Sequence, residues 1–326
     1  MFSKSSSTRI TCKLIRRCFT SQVQTSTACS VGCIDSVNRF LDKYDTFMLD
    51  CDGVLWRGDH ITPVEGISKA IEKLQSLNKR VLFVTNNSIA SRLMLQQKFQ
   101  SYGFDSSLEN IFGNGYIAAR VIRDVLKVSG KVYLVGGPGI KWELDQLGVD
   151  NVGFGVDPDN PTSDEQELLN HSFDDNIEAV LVGHDEYMSY NKIYKAASYI
   201  CDPRCHFIAT NNVEKGIFIG DGVNKRRMPL AGMVVNAITE VAGRKPLVVG
   251  KPNRFMLDCI VGKHCDIDFS RTVFVGDRLQ TDVKFAKTNG IDSVLVLTGV
   301  GKVEDIDSNP ELTPNYVMHS LSDIVH

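Results

Sequence analysis

Short apolar, β-branched runs separated by segments of helical period constrain this chain more than any other feature. From Tyr44 onward the runs are FMLD, RVLFVT, KVYLVG, EAVLVG, CHFIAT, PLVVG, RTVFVGD and DSVLVL. Between most of them lie VEGISKAIEKLQSL, SRLMLQQKFQSYG, YNKIYKAASYI, AGMVVNAITEVAG, RFMLDCIVGKH and DVKFAKTNG. Strands that alternate with helices predict an α/β fold, a mostly parallel sheet with helices on its faces. Uninterrupted apolar strands such as VLFV fit burial on both faces. Thr62-Pro63-Val64-Glu65 predicts a helix start, with Thr as N-cap, Pro at the first helical position and Glu three after the cap. GFGVDPDNPTSDEQ (153–166) and NNVEKGIFIGDGVNKRRMP (211–229) read as loops.

Totals narrow the function. A length of 326 residues predicts two domains. No apolar run is long enough to span a bilayer, so no membrane partner is expected. The net charge is −3, yet residues 1–33 carry Lys4, Arg9, Lys13, Arg16 and Arg17 and no acid. The remaining body is therefore acidic, which argues against nucleic acid as a partner. The basic, acid-free start fits a mitochondrial presequence and a plain disordered tail equally, leaving a cytoplasmic or a mitochondrial location open. Residues 1–33 are expected to stand outside the fold. Nine cysteines at irregular spacing, with no second pair beside the Cys201/Cys205 spacing, fit free thiols rather than a zinc site or a disulfide framework.

In an open α/β sheet, ligands bind outside the carboxyl ends of the strands. Asp50 and Asp52 follow the first run, and Thr85, Asn86 and Asn87 the second. Lys251 follows PLVVG, and GDRLQTD, with Asp277 and Asp282, follows RTVFV. Crowded carboxylates repel one another unless a cation joins them. Oxygen donors without histidine select a hard cation, with Mg2+ usual beside phosphate. A lysine and a threonine hydroxyl among acids suit an anion held against that metal. The combination is what phosphoryl transfer requires, with one aspartate as nucleophile and a second to move the proton.

The ordered set DCDGV, VTNNS, VGKP and GDRLQTD resembles the haloacid dehalogenase (HAD) superfamily of Mg2+-dependent phosphatases. LDCDGVLWRGD, FVTNNS, LVVGKP and VFVGDRLQTDVKFAKTNGIDSVLVLTGV look like its phosphoglycolate/pyridoxal-phosphate/4-nitrophenylphosphatase branch, over about residues 40–320. The resemblance implies a doubly wound Rossmann-like core at 34–114 and 228–326, with an inserted α/β cap at 115–227. It implies Asp50 as the phosphoryl-accepting nucleophile and Asp52 as general acid and base, with its backbone carbonyl on the metal. Thr85 and Lys251 would hold the phosphoryl oxygens, Asp277 would ligate Mg2+ and Asp282 would orient the site. Gly53 would let the backbone approach phosphate, and Asn86 and Asn87 would shape the loop around it. His184 and Tyr187, where a cap would face the core, become candidates for substrate contact, and Trp56 is expected to serve packing. Departures fall almost all in the expected cap, among them Val213 and Tyr187, with the PLAGMV stretch at the return to the core, and bear on the substrate more than on the chemistry.

The resemblance points to a small-molecule phosphomonoesterase, with phosphoglycolate or glycerol 3-phosphate as first substrate and pyridoxal phosphate as second. It also implies a homodimer formed through the cap. A protein phosphatase, a catalytically idle binding module on the same fold and a phosphotransferase on the same core are the alternatives.

Overall fold

Alternate residues of the central strands feed opposite clusters, and this determines how the layers stack. The computed structural model describes residues 29–30, 34–171, 173–212, 216–219 and 224–325. Most of the basic N-terminal stretch and Val213 lie outside the described residues. The strands run β1 (Cys29–Ser30), β2 (Thr46–Leu49), β3 (Arg80–Thr85), β4 (Ile111–Gly113), β5 (Lys131–Val135), β6 (Asn151–Val152) and β7 (Ile177–Val182). They continue as β8 (His206–Ala209), β9 (Gly216–Ile219), β10 (Arg226–Pro229), β11 (Leu247–Val248), β12 (Thr272–Gly276), β13 (Asp292–Val296) and β14 (Tyr316–Met318).

A seven-stranded parallel sheet has the order β1-β14-β13-β12-β2-β3-β4. The order reverses at β2, between β12 and β3, which makes its carboxyl edge the place where a cleft opens. A five-stranded parallel sheet has the order β11-β8-β7-β5-β6, and β9 and β10 form an antiparallel hairpin.

Side chains alternate across a strand with period two. Phe47, Leu49, Val81, Phe83, Val273 and Val275 therefore enter one cluster, together with Phe40, Ile71 and Phe99 from helices. Met48, Leu82, Val84 and Phe274 enter another, which Val132, Leu134, Leu181 and Ile208 reach from the five-stranded sheet. Helices Asn114–Arg120, Pro138–Gln146 and Phe255–Lys263 contribute Ile117, Ile140, Leu144, Met256 and Ile260 to this middle layer. Tyr133, Val180, Val182 and Phe207 face a third cluster on the far side of the second sheet. Each fully buried Leu, Val or Phe contributes roughly 1.5–3 kcal/mol over exposure. The two sheets thus share one apolar interior.

Four expectations are corrected. Cys29–Ser30 belong to the sheet as an edge strand paired with β14, because ladder hydrogen bonding requires no apolar pattern. The helix expected from Pro63 starts at Ile67, because Thr62 donates its backbone N–H and hydroxyl to Asp59 in a turn and Gly66 takes the left-handed conformation at the N-cap. The run Leu247–Val248 joins β8 in the second sheet, and helix Ala231–Ala242 packs there through Val234, Val235 and Ile238. The chain therefore returns to the first sheet after Val248, and not at 228. The loop expected at 211–229 contains the β9–β10 hairpin. No helix among the described residues is long and apolar enough to cross a membrane.

Candidate active site

Asp50 is the first residue beyond β2, and its backbone N–H still donates to Val275 of β12. That bond holds it where the sheet order reverses. Its carboxylate accepts from the Cys51 N–H at 2.7 Å and lies 3.0 Å from Lys251 Nζ. Lys251 is buried and also contacts Asp282 Oδ1 at 2.7 Å and the Val84 carbonyl at 2.9 Å. Its backbone is fixed from β3, since Asn86 accepts the Lys251 N–H at 2.8 Å and donates to the Lys251 carbonyl at 3.1 Å. Lys251 therefore arrives from the second sheet and is fastened to the first.

Asp277 follows β12, and Asp282 lies on the helical turn Leu279–Val283. Asp50, Asp277 and Asp282 each offer an oxygen within 4.8 Å of the others. Asp277 Oδ2 accepts from the Val300 N–H at 2.8 Å. Its Oδ1 is buried without a hydrogen bond, with Arg278 Nε standing 3.8 Å away. A Cβ at Gly299 or at Gly53 would overlap Asp277, and Gly53 has φ +86°, so both positions require glycine. An orphaned buried oxygen among three acids fits a hard cation.

The electrostatics agree with that fit. Burial holds Asp50 well above the usual carboxylate range, against the pull of Lys251 and with the push of Asp282, Asp277 and Asp52. Burial and then Asp282 lift Asp277 to about 7. Lys251 is raised because Asp282 and Asp50 outweigh its burial. Asp52 goes the other way. Burial alone would raise it, but hydrogen bonds from His60 and Trp56 and the charges of His60 and Lys98 bring it below the ordinary value.

Asp50, Asp52, Thr85, Asn86, Asn87 and Lys251 line one small cavity. Thr85 Oγ1 accepts the Asn87 N–H at 3.1 Å, and Asn87 Oδ1 caps Ile89 and Ala90. Asp52 stands outside the acid triad, its carboxylate held by Trp56 and His60. Asp282, expected only to orient the site, belongs to the triad. His184 and Tyr187 do not line the cavity. The turn beyond β7 keeps them off, with Asp185 accepting the Tyr187 N–H at 2.8 Å and tied to buried Lys192 at 2.7 Å.

The sequence reading missed five cavity residues: His60, Arg278, Thr281, and Ile217 and Leu230 on and beside the β9–β10 hairpin. Trp56 was placed in packing alone, whereas its Nε1 donates to Asp52 at 2.6 Å.

Family comparisons agree with this geometry. A haloacid dehalogenase-like hydrolase model matches residues 47–150, and a HAD-hydrolase-like model matches 248–324. The chain is 36% identical to a 4-nitrophenylphosphatase of Schizosaccharomyces pombe, over 87% of this chain and 94% of that protein. It is 36% identical to phosphoglycolate phosphatase 2 of Arabidopsis thaliana, over 87% and 93%. A solved 4-nitrophenylphosphatase from Thermotoga maritima superposes with a TM-score of 0.71 at 30% identity, covering 88% of this chain and 98% of that one. By these matches in sequence and fold, the chain belongs to the haloacid dehalogenase-like hydrolases, in the phosphatase branch that holds the 4-nitrophenylphosphatases and phosphoglycolate phosphatases.

Proposed function

We propose that this chain is a Mg2+-dependent phosphatase of small phosphomonoesters that works through an aspartyl-phosphate on Asp50. The observation that carries this reading is the carboxylate of Asp50 at the cavity, 3.0 Å from a buried lysine and within reach of the Asp277 and Asp282 oxygens. An oxygen of Asp50 attacks phosphorus, and the ester oxygen leaves with a proton from Asp52. Water then gives a proton back to Asp52 as its oxygen bonds phosphorus and the acyl-phosphate bond breaks. Thr85 and Lys251 hold the phosphoryl oxygens, with Asn86 fixing Lys251 from behind. Asp50, Asp277 and Asp282 would hold Mg2+, which when bound offsets the negative charge gathered at phosphorus. Ile217 and Leu230 wall the cavity on the hairpin side, so the leaving group is small, as in phosphoglycolate or glycerol 3-phosphate.

Phosphate release from the full chain tests this, with Mg2+ and with EDTA. The panel is phosphoglycolate, glycerol 3-phosphate, pyridoxal phosphate, nitrophenyl phosphate and phosphotyrosine. Release should depend on the metal and favour one small alkyl ester. Equal release in EDTA would remove the metal from the reading, and a preference for phosphotyrosine would remove the small-ester class.

A second expectation concerns pH. Asp277 rises from 3.8 to about 7 in the folded chain, so the folded state binds its proton more tightly than the unfolded state does. The stability of the EDTA-treated protein should therefore fall as pH rises from about 4 to about 7 and level off above. Mg2+ must displace that proton, so it should raise the melting temperature more at pH 8 than at pH 5.5. Melts of wild type against Asp277→Asn check this, because the variant should lose the slope that Asp277 causes. Identical slopes in the two proteins would contradict the assignment.

A further inference from the structure

We propose that His60 is a positioning residue that fixes which oxygen of Asp52 handles the proton. The inference rests on the aspartyl-phosphate reading above and extends it to a residue outside the four motifs.

His60 has φ 59°, in the left-handed region that non-glycine residues seldom enter. Three contacts hold it there. Its N–H donates to the Arg57 carbonyl at 2.9 Å, and its carbonyl accepts from Lys98 Nζ at 2.7 Å. The loop is closed by the Arg57 N–H on the Thr62 carbonyl at 2.8 Å. Backbone held in a sparsely populated region beside reacting groups is a common mark of function. Here the turn delivers the imidazole to the cavity, with Nδ1 2.6 Å from Asp52 Oδ1.

The same Oδ1 accepts from Trp56 Nε1 at 2.6 Å. Trp56 is buried, packed against Phe99 and Tyr102, with Lys98 Nζ 3.4 Å above its ring. An indole N–H only donates. In the tautomer with its proton on Nδ1, His60 donates as well, and Oδ1 then has two donors whether Asp52 is neutral or ionised. The acid proton then belongs on Oδ2, which accepts a single longer bond, 3.4 Å, from Asn87 Nδ2 beside the cavity.

An Asp50 oxygen forms a bond to phosphorus, and the ester P–O bond breaks. Its electron pair goes to the leaving oxygen, which takes the proton from Asp52 Oδ2. In the second step a water oxygen bonds phosphorus and its proton returns to Oδ2, while the Asp50–phosphorus pair returns to Asp50. His60 neither gains nor loses a proton. It prevents the carboxyl from turning over and presenting the wrong oxygen.

The test compares two esters of one ring, nitrophenyl phosphate and phenyl phosphate. Nitrophenolate leaves with little protonation, whereas phenolate needs the acid. kcat/KM is the readout because it reports the step that expels the phenol. His60→Gly keeps the positive φ without strain and deletes the imidazole. His60→Asn keeps the positive φ and restores a side-chain N–H. His60→Gly should lose about tenfold on phenyl phosphate and about twofold or less on nitrophenyl phosphate, a part of what general acid catalysis supplies. His60→Asn should recover most of the loss. Equal losses on both esters, no loss on either, or no recovery in His60→Asn would overturn the inference while leaving the phosphatase reading intact. No release by wild type from either ester would overturn both.

Discussion

Asp50→Asn should fold as wild type does and lose phosphate release by about 10⁴-fold or more. The amide has nearly the shape of the carboxylate, so the Cys51 N–H keeps an acceptor at Oδ1 and Lys251 keeps Asp282 at 2.7 Å. What disappears is the anionic oxygen that would bond phosphorus. Because burial and the neighbouring acids hold the Asp50 carboxylate well above its ordinary range, its ionised form burdens the folded state at neutral pH. A neutral amide removes that burden. The melting temperature in EDTA should therefore be no lower than that of wild type. The pair of measurements is turnover on nitrophenyl phosphate and a thermal melt. Turnover near that of wild type would reassign the nucleophile, and a lost melt would show that Asp50 supports the fold.

The second large effect is on stability. Glu143→Ala should cost about 3–5 kcal/mol in urea unfolding. Glu143, on helix Pro138–Gln146 of the second unit, pairs with Arg92 Nε at 3.0 Å, with side chains 1% and 8% exposed. It also accepts the Arg92 backbone N–H at 2.8 Å. Arg92 opens helix Arg92–Ser101 of the first unit and lies 3.7 Å over the Tyr116 ring. Removing Glu143 strands a buried guanidinium and a helix N–H together. Burial holds Glu143 above its ordinary range despite Arg92, so the intact pair is near break-even and the damage comes from separating it. The double variant Arg92→Leu/Glu143→Leu should consequently unfold at higher urea than Glu143→Ala alone. The reverse order would mean that the pair is a net source of stability.

The gathering of acids, hydroxyl and lysine was legible because each stands at or shortly past the end of an apolar run. Asp50, Thr85 and Asp277 end β2, β3 and β12 or follow them directly, and the sheet places them together. The alternation Phe47/Met48/Leu49 required two covered faces, and both are covered. Sheet membership was not legible. PLVVG reads as a buried parallel strand in either sheet, and only its pairing with β8 decides. His60 escaped notice because its contact with Asp52 depends on a left-handed turn within GDHITP, and a single histidine in a polar loop carries no period. Ile217 was hidden by the glycines and charges around a two-strand hairpin. The helix start was misplaced because Asp59 captured the Thr62 hydroxyl and N–H that a cap would have used.

The apolar layer between the two sheets bears on how such a protein can change over evolutionary time. Leu82 and Val84 of the first sheet and Leu134 and Leu181 of the second belong to one buried cluster, and Lys251 crosses from one unit to the active cleft of the other. A lid joined by two flexible tethers could be exchanged like a tool head. This one is cast in the same interior as the chemistry beneath it. New substrates are therefore more accessible through the rim, at Ile217, Leu230 and the hairpin that carries Ile217, than through wholesale replacement of the unit behind them.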